Sequence, residues 1–170
     1  MAEKVTLARD TGLRLIELRA RPEEAVVAAT RLGYLLPEPL DSCMARPGVE
    51  ALWLGPDRWL MIGEPREATR LDAALAGLAA AVIDMSDGLV ALRLAGPGAR
   101  TVLAAGMPLD LSERAMPRGA VAGTALASVG VWVQRLPVQD AGASHEPAFR
   151  LFVRPAVADW LTAWLEDATG

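Results

Sequence analysis

The sequence predicts an α+β fold: one domain, residues 1–170, made of two pseudo-repeated halves, about 1–87 and 88–170. Three observations carry that reading. Strand and helix patterns alternate between short Gly/Pro stops. Each half reads strand, helix, loop, strand pair, then a further helix and strand, with the last two exchanged in the second half. The loop after the first helix also echoes itself, Pro39-Leu40-Asp41-Ser42 against Pro108-Leu109-Asp110-Leu111-Ser112. This order argues for antiparallel or mixed sheets with helices packed on one side.

Taken in order, Leu13–Ala20 reads as a strand through Leu13, Leu15 and Leu18. Arg21-Pro22-Glu23-Glu24 opens a helix, because proline suits the first helical position and the acids face the positive end of the dipole; Gly33 stops it. Residues 35–48 are broken by proline and read as loop. Glu50–Leu54 and Arg58–Gly63 form a strand pair around the turn Gly55-Pro56-Asp57. A helix over 65–80 repeats Ala68, Leu71, Leu75 and Leu78 on one face, and Ala81–Met85 reads as a short buried strand ending at Ser86-Asp87-Gly88. The second half gives a strand over Leu89–Ala95, a short helix from Gly96-Pro97-Gly98 to Ala105, and strands at Ala122–Ser128, Gly130–Arg135 and Phe149–Val153. The closing helix after Pro155 places Val157, Trp160, Leu161, Trp164 and Ala168 on one face, a stripe expected in a core or an interface.

Composition excludes several classes. With 170 residues, 52% of them hydrophobic, the chain has ample apolar surface to order itself. A net charge of -4 and no basic stripe argue against nucleic acid and anionic membranes as partners. The longest uncharged stretch, Gly119–Gln134, contains three glycines and is too short to cross a bilayer. MAEKVTLARD lacks the apolar core of a signal peptide, which makes the cytoplasm the expected location.

Reactive residues are scarce. Cys43, His145 and Lys4 are each the sole residue of their type, so a multi-histidine zinc site or a thiolate cluster is excluded within one chain. Lys4 falls in an N-terminus expected to fray, a poor setting for a Schiff base. Cys43 and His145 could form a nucleophile pair, but no local signature surrounds either, and Cys43 reads as a small half-buried hydrophobe. Asp84-Met85-Ser86-Asp87-Gly88 offers two carboxylates that read as an ordinary turn. Gly96-Pro97-Gly98 could present free amides to an anion, although helix initiation by Pro97 explains it more simply. Trp53, Trp59 and Trp132 read as core or interface. No catalytic, cofactor-binding or metal-binding residue is assigned, and the profile is that of a chain that packs against a partner.

Four ordered fragments carry a resemblance: Leu54-Gly55-Pro56-Asp57-Arg58-Trp59-Leu60, Asp84-Met85-Ser86-Asp87-Gly88, Leu92-Arg93-Leu94-Ala95-Gly96-Pro97-Gly98-Ala99-Arg100 and Gly106-Met107-Pro108-Leu109-Asp110-Leu111. From about residue 50 to the Trp160 and Trp164 helix, the chain resembles the gamma subunits of heterotetrameric sarcosine oxidase. Leu89 stands where that pattern commonly has arginine, and Met107 where it has cysteine. The resemblance implies a fold similar to the folate-binding aminomethyltransferase T-protein. It implies a complex that oxidises sarcosine to glycine, passes the one-carbon unit to tetrahydrofolate or releases formaldehyde, and forms hydrogen peroxide at a flavin. It further implies that FAD, FMN, NAD and tetrahydrofolate sit on partner subunits, and that this chain is a non-catalytic subunit among alpha, beta and delta partners, with alpha in direct contact. Two rival readings are a free-standing folate-binding module using the Asp84–Asp87 turn, and the gamma subunit of a related N-methyl amino acid oxidase or dehydrogenase.

Overall fold

The computed structural model describes residues 4–46, 48–63, 66–136 and 146–169. Among the described residues, ten strands and four helices follow in the order β1 (Thr6–Asp10), β2 (Arg14–Ala20), α1 (Pro22–Leu32), β3 (Ser42–Arg46), β4 (Val49–Gly55), β5 (Arg58–Gly63), α2 (Arg66–Leu75), β6 (Ala80–Asp84), β7 (Val90–Ala95), α3 (Ala99–Ala104), β8 (Val121–Leu126), β9 (Val129–Arg135), β10 (Ala148–Val153) and α4 (Pro155–Thr169). The chain folds as two compact units. Gly12–Gly88 forms one, and the N-terminal strand with everything from Leu89 onward forms the other.

In the Gly12–Gly88 unit the sheet runs β3-β4-β5-β2-β6 and every described pairing is antiparallel. Without β3 this is a split β-α-β-β-α-β arrangement. Alternate residues of β2 (Ile16, Leu18, Ala20) join Ala51, Trp59 and Met61 on one face, where Ala25, Ala28 and Leu32 of α1 and Leu71 and Leu75 of α2 pack. The opposite face is buried too, through Leu15, Leu52, Leu60 and Ile62. Burial on both faces explains why these strands read as continuous apolar runs and do not alternate cleanly. Pro22 sits at the start of α1, and Gly33 closes it in the left-handed conformation at φ 65°.

The other sheet runs β1-β7-β10-β9-β8, again antiparallel throughout. Leu92 and Leu94 of β7 and Phe149, Leu151 and Val153 of β10 face α3 and α4, which contribute Val102, Leu103, Ala158, Leu161 and Leu165. β10 lies at the sheet centre and all six of its residues are buried. The exchange of helix and strand noticed in the sequence has a topological meaning. β10 inserts between β7 and β9, so the edge beside β7 is filled by β1, whereas in the first unit β6 fills the edge beside β2.

Several expectations are corrected. Where a frayed N-terminal segment was expected, residues 6–10 pair in register with residues 91–95 as β1. The proline-broken segment contains an edge strand, β3, with a bulge between Met44 and Arg46. α2 ends at Leu75 and not near 80, because Gly77 turns the chain at φ 78°. β6 is an edge strand and mostly half-exposed where a buried one was expected. On α4 the buried line is Ala158, Leu161 and Leu165; Val157 and Trp164 flank it, and Trp160 points to solvent at 53% exposure.

Candidate functional site

The most strongly built charged site of the Gly12–Gly88 unit lies across β2 and β5. Glu17 and Arg19 are two residues apart on β2 and share a face, and Arg58 is the register partner of Arg19. Glu17 is 2% exposed, and Arg58 grips it with both forks, Nε to Oε1 at 3.0 Å and Nη2 to Oε2 at 3.1 Å, while Arg19 donates its Nε to the same Oε1. Burial alone would raise the Glu17 carboxyl. The hydrogen bonds from Arg58 and Arg19 outweigh that and hold it below the ordinary glutamate value. Glu67, on α2, shows the opposite balance: burial pushes it up and Arg70 only partly offsets this.

The same unit carries an apolar groove of about 880 Å³. Its walls are α1, the 34–39 segment and the β4–β5 turn, with Val26, Ala29, Tyr34, Leu35, Trp53 and Trp59 among the lining. Local bonds fix these walls. Trp59 donates its Nε1 to the Pro37 carbonyl at 3.2 Å, the Trp53 amide donates to the Asp41 carbonyl, and Arg70 stacks over the Tyr34 ring at 5.4 Å. Glu38 and Asp57 also line the groove, and among the described residues no cationic side chain does. Beyond Asp57 the surface changes sign, where Arg19, Arg21 and Arg58 line a smaller hollow of about 480 Å³. The groove does not fit the phosphates of FAD, FMN or NAD, which need cationic or amide donors where this lining offers carboxylates.

In the other unit, Arg135 is buried and donates to the Met116 carbonyl at 2.9 Å and to Glu113 at 2.5 Å, which ties the 106–120 segment to β9. The Arg135 hydrogen bond, reinforced by its charge, lowers the Glu113 carboxyl. Arg150 reaches Asp10 at 3.0 Å and Gln134 at 3.3 Å, so an ion pair joins β10 to the N-terminal strand.

The residues singled out in the sequence are dispersed. Cys43 lies on β3 opposite Ala51, and His145 lies outside the described residues. Asp84 ends β6. Its Oδ1 accepts the Ser86 amide at 2.9 Å and its Oδ2 accepts Arg14 at 3.1 Å, and the Ser86 hydrogen bonds lower its carboxyl. The Ser86 hydroxyl accepts the Leu15 amide, which fastens the turn to β2. Gly96 sits where β1 arrives: a Cβ there would lie 2.3 Å from the Lys4 carbonyl oxygen. Among the described residues no group of three or more His, Cys, Asp and Glu side chains is placed to hold a metal. No described helix is long and apolar enough to cross a membrane.

Residues 19–170 match the sarcosine oxidase, gamma subunit family. The chain belongs to that family. The gamma subunit of sarcosine oxidase from Arthrobacter sp. is 33% identical over 168 residues, covering 97% of this chain and 77% of that one. The gamma subunit from Corynebacterium sp. (strain U-96) is 31% identical over 171 residues, covering 96% and 78%. In three dimensions the chain matches one from the heterotetrameric sarcosine oxidase of Corynebacterium sp. U-96, solved with pyrrole 2-carboxylate. The TM-score is 0.88 at 28% identity, over 99% of this chain and 85% of that one. Aminomethyltransferase T of the glycine cleavage system from Bartonella henselae shares the fold, with a TM-score of 0.71 at 17% identity, over 96% of this chain and 45% of that one. Both the resemblance read from the sequence and its implied fold therefore hold. The two positions that depart from the gamma-subunit pattern, Leu89 and Met107, are buried apolar residues, and Met107 belongs to the core beneath α3 and α4.

Two features escaped the sequence reading. Glu17 is a carboxylate inside an apolar strand with an arginine two residues on, which was a usable signal for a buried ion pair. The groove had only a faint signal, the bulky Leu35 and Leu40 bracketing Pro37 and Pro39, because its walls come from three separate segments.

Proposed function

We propose that this chain is the gamma subunit of a heterotetrameric sarcosine oxidase and serves it as a non-catalytic docking and stabilising component. The observation that carries this reading is the likeness, over nearly the whole chain, to a chain of the heterotetrameric Corynebacterium enzyme. The charged groups support it: Glu17, Asp84, Glu113, Arg135 and Arg150 all tie strands and turns together. Asp84, the carboxylate that a free-standing folate module would turn toward pterin nitrogens, is engaged by Ser86 and Arg14.

On this reading the FAD, FMN, NAD and tetrahydrofolate sites belong to the partner subunits, the alpha chain makes the direct contact, and the complex works in the cytoplasm. Co-expression of the four subunits, with and without this chain, tests the proposal by size-exclusion chromatography and sarcosine-dependent peroxide formation. Loss of the assembled complex without the chain is expected. A complex that assembles fully and turns over normally in its absence overturns the reading. The purified chain alone is expected to show no flavin absorbance and no heat on titration with tetrahydrofolate.

A further inference from the structure

Five of the six exposed large hydrophobic residues among those described, Val26, Val27, Leu35, Leu40 and Met44, lie on α1 or between residues 35 and 44; the sixth is Trp160 on α4. Val26 and Leu35, 68% and 70% exposed, form lips of the apolar groove, whose interior is lined by Ala29, Trp53 and Trp59. An aromatic-floored groove with apolar lips is costly to leave in water, since its exposed side chains forgo the gain of burial.

Charge narrows the occupant. The ionisable residues lining the groove are Glu38 and Asp57, whereas the adjoining hollow is lined by Arg19, Arg21 and Arg58. Arg19 and Arg58 already hold Glu17, and Arg21 lies 3.4 Å from Glu23, so the demand on a partner comes from the groove itself: apolar in the middle and cationic where it meets Glu38. A second copy of α1 suits this poorly, because its own first turn carries Glu23 and Glu24 beside the apolar residues. An amphipathic segment with a basic residue beside its apolar face suits it well, in the helix-in-groove manner.

We infer that the groove between α1, residues 34–39 and the β4–β5 turn docks an amphipathic segment of another oxidase subunit, held by apolar side chains and oriented by a basic residue at Glu38. This rests on the gamma-subunit reading and adds the surface and the chemistry of the contact. The walls are braced by the Trp59–Pro37 and Trp53–Asp41 hydrogen bonds, so the groove is preformed and little ordering opposes binding.

The test uses the full chain free and in the co-expressed complex, with hydroxyl-radical footprinting of side chains. Labelling of Leu35 and Trp53 is expected to fall several-fold on assembly. The double variant Val26→Glu/Leu35→Glu, at exposed positions, is expected to weaken assembly at least about tenfold with an unchanged thermal midpoint. Glu38→Arg is expected to slow association at low salt, and the difference should shrink at high salt. A complex that forms with Leu35 and Trp53 labelled as in the free chain overturns the docking site while leaving the gamma-subunit reading intact. Failure of any complex to form with the unmodified chain overturns both.

Discussion

Glu17 and Arg58 illustrate how little of a buried ion pair is symmetric. Glu17 is almost inaccessible, whereas Arg58 and Arg19 keep about a third and a half of their side chains in water. Removing Arg58 takes the two-pronged partner from a buried carboxylate and leaves it Arg19, and removing the carboxylate frees two guanidinium groups that water can solvate. Arg58→Ala is therefore expected to cost about 3 kcal/mol and Glu17→Gln about 1 kcal/mol, measured by urea unfolding of the full chain. Because the folded carboxyl is held below its ordinary value, its contribution is present at neutral pH and is lost as pH falls through the folded pKa. Glu17→Gln should accordingly flatten the acid limb of the stability curve, and an unchanged limb would remove Glu17 from it. The residue types of this cluster were legible in the sequence. Its closure was not, because Arg58 comes from a strand 41 residues away whose register only the sheet fixes.

Among the elements, α4 separates periodicity from burial. Its sequence placed Trp160 and Leu161 on one apolar stripe, but the helix is docked so that Ala158, Leu161 and Leu165 point inward. A stripe drawn from 3.6-residue spacing is wide, and only the packed neighbours choose its centre line. Leu161→Ala should cost about 2–5 kcal/mol through the cavity it leaves, and Trp160→Ala less than about 0.5 kcal/mol. Thermal or chemical unfolding of the two variants checks this, and equal losses would mean that the helix is rotated from the position described. α1 was the more readable element, because its start and stop signals, Pro22 and Gly33, are local. β3 lay hidden, because five residues between prolines carry no periodicity of their own and owe their pairing to β4.

For the whole molecule the decisive feature is that the chain begins in one unit, builds the other, and returns. β1 closes the β7 edge, and the Arg150–Asp10 pair holds it there. At Gly96 the backbone of residue 4 approaches so closely that only glycine fits. Removing residues 1–11 should therefore damage the sheet of β7–β10 more than the Gly12–Gly88 sheet, since it bares an edge and takes the Asp10 carboxylate away from Arg150. Hydrogen exchange resolved by segment is the check: faster exchange in β7 and β10, with β2 and β5 unchanged, is expected. Uniform behaviour across both sheets would contradict the division into units.

The sequence by itself determined the class of fold, the β4–β5 and β8–β9 strand pairs, the start and stop of α1, the scarcity of reactive groups and, through four ordered fragments, the family. All of these are local signals of spacing or composition. The tertiary structure alone decided that the first strand pairs with β7, that β10 occupies a sheet centre, and that the exposed Val26 and Leu35 line one groove. These are matters of which distant segments meet, and burial on both faces of a strand erases the alternation from which a sequence could announce its neighbours.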